Sequence, residues 1–167
     1  MFEIYCDGSS KGNPGKGGWA TVIYKDGHYI THRAEYQDEV TNNRMELTAL
    51  AYGLLFANNL PEDEEINIYC DSAYCVNAMN DWVLGWRKAN WKRPKNQEVK
   101  NQDLFEKMYP LYWQENIQGI QKKKKNINIL KVHGHAGIIG NELADALAAD
   151  NKPKLNIIIN KIKTGCN

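Results

Sequence analysis

Apolar residues alternate with mixed ones at Phe2, Ile4 and Cys6, and again at Ile66, Ile68 and Cys70. A period of two predicts strands, here Phe2–Asp7 and Ile66–Asp71. Both close on the same tripeptide, Tyr5-Cys6-Asp7 and Tyr69-Cys70-Asp71. Behind Asp7, the stretch from Gly8 to Gly18 holds five glycines and Pro14, which predicts a tight exposed loop. It lacks the G-x-x-x-x-G-K-[ST] spacing of a phosphate-binding loop. Trp19–Tyr24 reads as a strand, Asp26-Gly27 as a hairpin signal and His28–Tyr36 as the return strand, so the first three strands form an antiparallel meander. The period then changes: Leu47, Leu50, Ala51 and Leu54 share one helical face, in a helix that opens around Thr41–Glu46 and ends at Asn59-Leu60-Pro61. A helix between the first strand and Ile66–Asp71 is the connection that parallel pairing requires. A short helix over Ser72–Met79, an amphipathic helix over Asn101–Trp113, a strand over Ile127–Val132 and a helix over Gly140–Ala149 complete an α/β pattern. Beyond Lys152, Leu155, Ile157–Ile159 and Ile162 lie among lysines, and the pattern leaves this tail between a strand and disorder.

Composition fits one soluble domain: 167 residues, 43% hydrophobic and 25% charged. No apolar run is long enough for a membrane span, and Met1-Phe2-Glu3-Ile4 is strand-like rather than a basic-then-apolar leader, so a cytoplasmic protein is expected. The four cysteines form no C-x-x-C, and Cys6 and Cys70 fall at inward positions, as buried reduced thiols do. The formal charge of +1 conceals an asymmetry: Trp82–Lys131 carries twelve Lys/Arg against four Asp/Glu, and the remainder nine against sixteen. A basic patch on an otherwise acidic chain suits a polyanion. Lys122–Lys125 alone fits a solvated face equally well. Within Trp82–Lys95, three tryptophans interleave with five basic residues, which predicts a protruding helix and loop with cationic tips on an aromatic base.

If the two Tyr-Cys-Asp strands are parallel neighbours, roughly 4.8 Å apart, Asp7 and Asp71 meet at one sheet edge. Two anions there need a proton or a cation between them. Glu46 at a helix start, Asp145 in the last helix and His135 in the glycine-spaced loop after Val132 complete a list of residues at element ends. Each has a structural alternative: Asn43 with Glu46 fits a capping box, and Asp145 fits a carboxylate complementing its helix dipole. Together, four hard-oxygen carboxylates without nearby zinc-type ligands point to Mg2+ or Mn2+, and a pair of such ions suits in-line phosphoryl displacement.

Four segments carry a resemblance to a known family. They are Asp7-Gly8-Ser9 with Gly12-Asn13-Pro14-Gly15 and Gly17-Gly18; Thr41-Asn42-Asn43-Arg44-Met45-Glu46-Leu47; Asp71-Ser72 with Tyr74 and Val76; and Val132-His133-Gly134-His135-Ala136-Gly137 with Asn141-Glu142 and Ala144-Asp145. In this order they resemble type 1 ribonuclease H, in the form with a basic protrusion. The resemblance implies a five-stranded mixed sheet, with strands 1–3 antiparallel and strands 1, 4 and 5 parallel, flanked by helices. It implies a catalytic domain over residues 1–151 with the protrusion at about 80–98, and a tail at 152–167 outside the match. It implies an endonuclease that cuts the RNA strand of RNA–DNA hybrids and leaves 5′-phosphate and 3′-hydroxyl ends. Asp7, Glu46, Asp71 and Asp145 would bind two Mg2+ ions, with Mn2+ as a substitute. One ion would help make a nucleophile from water and the other would stabilise the departing 3′ oxygen. His135 would assist proton transfer or product release, Glu142 would help position the metals or the histidine, and His133 would be structural. Asn13, Asn42 and Asn43 would contact the hybrid's minor groove, where amides can meet 2′-hydroxyls without reading sequence. Ser9, Ser10 and Thr41 would touch backbone, and Trp82, Lys88, Trp91 and Lys92 would serve the DNA strand from the protrusion.

The chain also departs from the family pattern. Ala73 stands where a longer polar residue is common, so one sugar contact is missing or replaced. Ile138-Ile139 replaces a more polar stretch and bears on how His135 moves. A stand-alone monomer is the expectation, serving replication, repair or R-loop processing. The alternatives are a DNA-acting nuclease of the same fold, or a non-cleaving hybrid-binding module. The intact carboxylates argue against the latter, because a pure binder gains nothing from anions facing a polyanion.

Overall fold

The computed structural model describes residues 1–132 and 138–165. Among these, the strands are β1 (Phe2–Gly12), β2 (Gly15–Lys25), β3 (His28–Val40), β4 (Ile66–Cys70), β5 (Trp113–Glu115), β6 (Gln121–Lys123) and β7 (Ile127–Lys131). The helices are α1 (Asn42–Asn58), α2 (Ala73–Asn77), α3 (Val83–Lys88), α4 (Gln102–Tyr112), α5 (Ile139–Ala148) and α6 (Lys152–Lys163). The main sheet has the order β3-β2-β1-β4-β7, with β1, β2 and β3 antiparallel and β1, β4 and β7 parallel, as the sequence predicts.

Burial is nearly continuous along β1 and β2, and alternating side-chain directions divide the apolar residues between two layers. Ile4, Cys6 and Ile23 pack with Leu47, Leu50 and Leu54 of α1 and, farther out, with Phe105 and Met108 of α4. Tyr5, Val22 and Tyr24 face the other way, onto Leu143 and Leu147 of α5 and Ile158 of α6. The middle strand β1 is therefore covered on both faces over Ile4–Gly8, and a charged group in that stretch is buried.

Several local expectations are corrected. The glycine-rich stretch after Asp7 is not an open loop: β1 and β2 stay paired from Gly8↔Trp19 to Gly12↔Gly15, leaving Asn13-Pro14 as the turn. Cross-strand pairing satisfies the backbone that the glycines would otherwise expose. β3 continues past Tyr36 to Val40, which pairs with Gly15. The α1 cap is Thr41, whose Oγ1 accepts from the Arg44 N–H at 3.1 Å, so Asn43 and Glu46 do not form the capping box. The helix after Ser72 runs on from α2 through a π-helical turn (Ala78–Trp82) into α3. A β5–β6 ribbon, unannounced by periodicity, carries part of the lysine run. Lys123 Nζ is half-buried there, donating to Lys124 O (2.8 Å), Ile127 O (2.6 Å) and Asn128 Oδ1 (3.1 Å). Lys124 Nζ donates to Asn58 Oδ1 at 2.5 Å. These two lysines are structural rather than free cations of a patch. The tail forms α6, whose Leu155, Ile158 and Ile162 sit on the α5 layer. No described helix is long and apolar enough to cross a membrane.

Candidate active site

The parallel register Tyr5↔Tyr69, Cys6↔Cys70 carries Asp7 and Asp71 to the same sheet edge. Their settings differ. Asp7 is still within β1 and only 7% exposed, whereas Asp71 lies just past β4 and is exposed. Asp7 Oδ1 accepts from the Gly8 N–H at 2.9 Å. Gly8 is also where α1 crosses β1: a Cβ there would lie 2.2 Å from the Glu46 backbone nitrogen. Only glycine permits that approach, which brings Glu46, itself 8% exposed, against Asp7. A second close approach seats α5, since a Cβ on Gly140 would lie 2.4 Å from the Tyr5 ring. Three residues farther along α5 than Glu142, Asp145 comes within hydrogen-bonding reach of Asp7.

Electrostatics follow from this packing. Burial first, then the charges of Glu46 and Asp145, pushes the Asp7 carboxyl up to about 8. Burial, then Asp71, pushes Glu46 up to about 7, against a weak bond from Asn42 Nδ2 at 3.5 Å. Partial burial would raise Asp145 too, but the Lys154 ammonium and the hydrogen bond with Asp7 outweigh it and hold Asp145 below its usual value. Across their contact the Asp7 carboxyl is thus held up while that of Asp145 is held down. Lys154 Nζ stands 2.6 Å from Asp145 Oδ2.

As the side chains stand, no three described His, Cys, Asp or Glu residues close into a metal-ligating group. The carboxylates interact instead as linked pairs, Asp7 with Glu46 and Asp145, and Glu46 with Asp71. Burial and mutual repulsion make charge on Asp7 and Glu46 costly, and the donors are hard oxygens, so the residues fit a divalent ion of the Mg2+ type. The nearby thiols do not: burial pushes Cys75 up to about 12, and Cys70 is raised well above its usual value, first by its hydrogen bond with Cys6.

The family model described as RNase H matches residues 1–152. The chain belongs to the RNase H family. Among curated relatives, the "Ribonuclease H" of Caldanaerobacter subterraneus subsp. tengcongensis is 39% identical over 155 residues, covering 92% of each chain. That of Legionella pneumophila (strain Lens) is 40% identical over 147 residues, covering 87% of this chain and 92% of its own. Membership makes the chain an enzyme of an endonuclease hydrolase family. Two solved structures share the fold. LC11-RNase H1, solved in complex with RNA/DNA hybrid, has TM-score 0.62 and 24% identity, covering 92% of this chain and 99% of that one. The PFV RNase H domain has TM-score 0.69 and 20% identity, covering 93% and 94%.

In this RNase H chain the other sequence-predicted residues divide into three groups. Asn13, Thr41, Asn42 and Asn43 come together, because the Gly15↔Val40 pair sets the β1–β2 turn beside the start of α1. Asn13 Oδ1 accepts from the Asn42 N–H at 3.1 Å, tethering turn to helix. Ser9 and Ser10 are half-buried on the same arm of β1, and Ser10 Oγ donates to Gly12 O at 2.7 Å. On the protrusion, Trp82, Trp86 and Phe105 form a ladder, with centroids 6.1 and 5.1 Å apart. Lys88 and Lys92 are exposed, while Trp91 packs against the core. Arg87, by contrast, pairs with Glu115 at 3.1 Å. Glu142 lies in the first turn of α5, Ala73 is exposed at the start of α2, and Ile138 and Ile139 pack on the Tyr5–Leu143 layer. His135 and His133 lie outside the described residues.

Sequence reading missed Gly140, Lys154 and the packing role of Gly8, which entered only as part of the Asp7-Gly8-Ser9 motif. The close approaches that the two glycines admit have no local signal, since the atoms come from distant segments. For Lys154 a signal was present: Asn151, Pro153 and the 155/158/162 spacing predict a capped helix.

Proposed function

We propose that this chain hydrolyses the RNA strand of RNA–DNA hybrids and leaves 5′-phosphate and 3′-hydroxyl ends. The observation that carries the reading is the buried pair Asp7 and Glu46 at the sheet edge where Asp71 and Asp145 also arrive. Such a group facing a polyanion is stable in its ionised form only when cations join it. Asp7, Glu46, Asp71 and Asp145 would hold two Mg2+ ions, or Mn2+ in their place. Bound divalent ions supply Lewis-acid polarisation and charge neutralisation at a phosphodiester.

The chain's own residues bind and orient the substrate. The Asn13–Asn42–Asn43 cluster offers amides to the minor groove with no demand on base sequence. Thr41, Ser9 and Ser10 lie along the path from that cluster to Asp7 and contact backbone. Lys88, Lys92, Trp82 and Trp91 hold the DNA strand from the protrusion at 80–98. His135 moves a proton or helps release product, and Glu142 helps position the metals or the histidine. Residues 1–151 form the catalytic unit, which acts as a cytoplasmic monomer and removes RNA from hybrids in replication, repair or R-loop processing. The hybrid bound to the solved relative LC11-RNase H1 supports the substrate assignment.

The test is cleavage by purified protein with Mg2+ of a labelled hybrid beside double-stranded RNA and DNA of the same sequence. Cutting of the hybrid's RNA strand alone, abolished by EDTA, is the expected result. An intact hybrid would sink the reading.

A further inference from the structure

Lys154 lies just beyond the residues that the family model matches, yet its ammonium is the nearest cation to one of the four carboxylates. Its position is built by the fold. The Asn151 N–H donates to Ala146 O at 2.9 Å, closing the turn between α5 and α6. Asn151 Oδ1 then caps α6 by accepting from the Lys154 N–H at 3.1 Å. Leu155, Ile158 and Ile162 pin the helix to the α5 layer, and Ile158 is 2% exposed. Helix energetics do not explain a lysine here. The first turn of α6 holds Lys152 and Lys154 and no acidic residue, which sets positive charge against the positive end of the helix dipole. An anion across the turn removes that conflict, and Asp145 is the anion, at 2.6 Å.

From this geometry we infer that Lys154 is a tethered counter-cation of Asp145. It competes with divalent ions for that carboxylate and so sets the ion concentration at which the site fills. Lys154 is a positioning residue: it acts through Asp145 and does not itself touch substrate. The inference rests on the proposed role of Asp145 as a metal ligand. A side chain 36% exposed facing a carboxylate 53% exposed makes a modest pair, so the competition is partial and Lys154 swings into solvent when an ion binds.

Calorimetric titration of the full chain with Mn2+, without nucleic acid, tests it. Lys154→Met and Lys154→Gln should each lower the Mn2+ dissociation constant by about two- to fivefold, the range that an exposed pair carries. Lys154→Arg, which keeps the charge, should stay at the wild-type value, as should Lys161→Met on the same helix far from the carboxylates. Thermal melts in EDTA confirm that each variant is folded, and the Mg2+ concentration for half-maximal cleavage should fall by the same factor. If wild type binds Mn2+ and both neutral variants bind it no more tightly, the inference is overturned while the metal reading stands. If wild type binds no Mn2+, both fall together.

Discussion

Asp7 and Lys88 both face a nucleic acid in the proposed function, yet Asp7 is 7% exposed within the middle strand while Lys88 stands exposed at the end of α3. The carboxylate edge is set by backbone: strand register aligns Asp7 with Asp71, and bare glycines let α1 and α5 press onto β1. The protrusion is set by side chains, with an aromatic ladder beneath and cations at the rim. Chemistry needs the first kind of construction, because a displaced ligand atom forfeits its effect, whereas a long-range hold on phosphates tolerates the second. The difference predicts steep, all-or-none losses at one region and graded, salt-dependent ones at the other.

The largest effect belongs to Asp7→Asn. Cleavage should fall by about a thousandfold or more, in line with loss of a group that acts as part of a unit, while hybrid binding changes little. A variant that cuts normally would break the assignment of the edge. Glycine substitutions should separate the two regions next. Gly8→Ala forces a Cβ to 2.2 Å from the Glu46 nitrogen, and should cost about 3 kcal/mol or more by denaturant melts. Gly85→Ala in α3 meets nothing within 4 Å, and should be neutral or stabilise by up to about 1 kcal/mol. Equal effects would show that the two regions are not built differently.

The pH dependence sharpens the contrast further. Asp7 and Glu46 bind protons more tightly in the fold than at their ordinary values of 3.8 and 4.5, with carboxyls pushed up to about 8 and about 7. Their contribution is fully present below about pH 4 and is lost as pH rises through 7 and 8. In EDTA, the melting temperature should therefore drop by roughly 10 °C or more between pH 5 and 8.5. Asp7→Asn should flatten that slope, Mg2+ should reverse it, and protrusion variants should leave it unchanged. The smallest effect is at the rim. Replacing Lys88, Lys92 and Arg93 by alanine should weaken hybrid binding about tenfold at moderate salt and reduce the salt slope by about 3. The cleavage rate at saturating hybrid should hold. A collapse of that rate would mean that the protrusion positions the scissile bond rather than only gripping the strand.

Much of the site was legible because its residues sit where periodicity stops. Asp7 and Asp71 end period-two runs, and the matching Tyr-Cys-Asp endings correctly indicated parallel neighbours. Glu46 was ambiguous: its distance from Asn43 fits a capping box, and only the bond from Arg44 to Thr41 shows that the cap lies elsewhere. The lysine run was equally opaque. Lys123 and Lys124 look like their neighbours Lys122 and Lys125 in the sequence, but the fold turns Lys123 toward the Ile127 carbonyl and Lys124 toward the Asn58 side chain.

The sequence by itself determined the strands and helices that alternate along the chain, the carboxylates at their ends and the family they belong to, because these depend on residue type and spacing. Tertiary structure alone decided which carboxylates are buried, why Gly8 and Gly140 must be glycine, and that Lys154 on α6 leans onto Asp145. Burial and close approach are properties of atoms from segments far apart in the chain, and nothing local in the sequence encodes the distance between them.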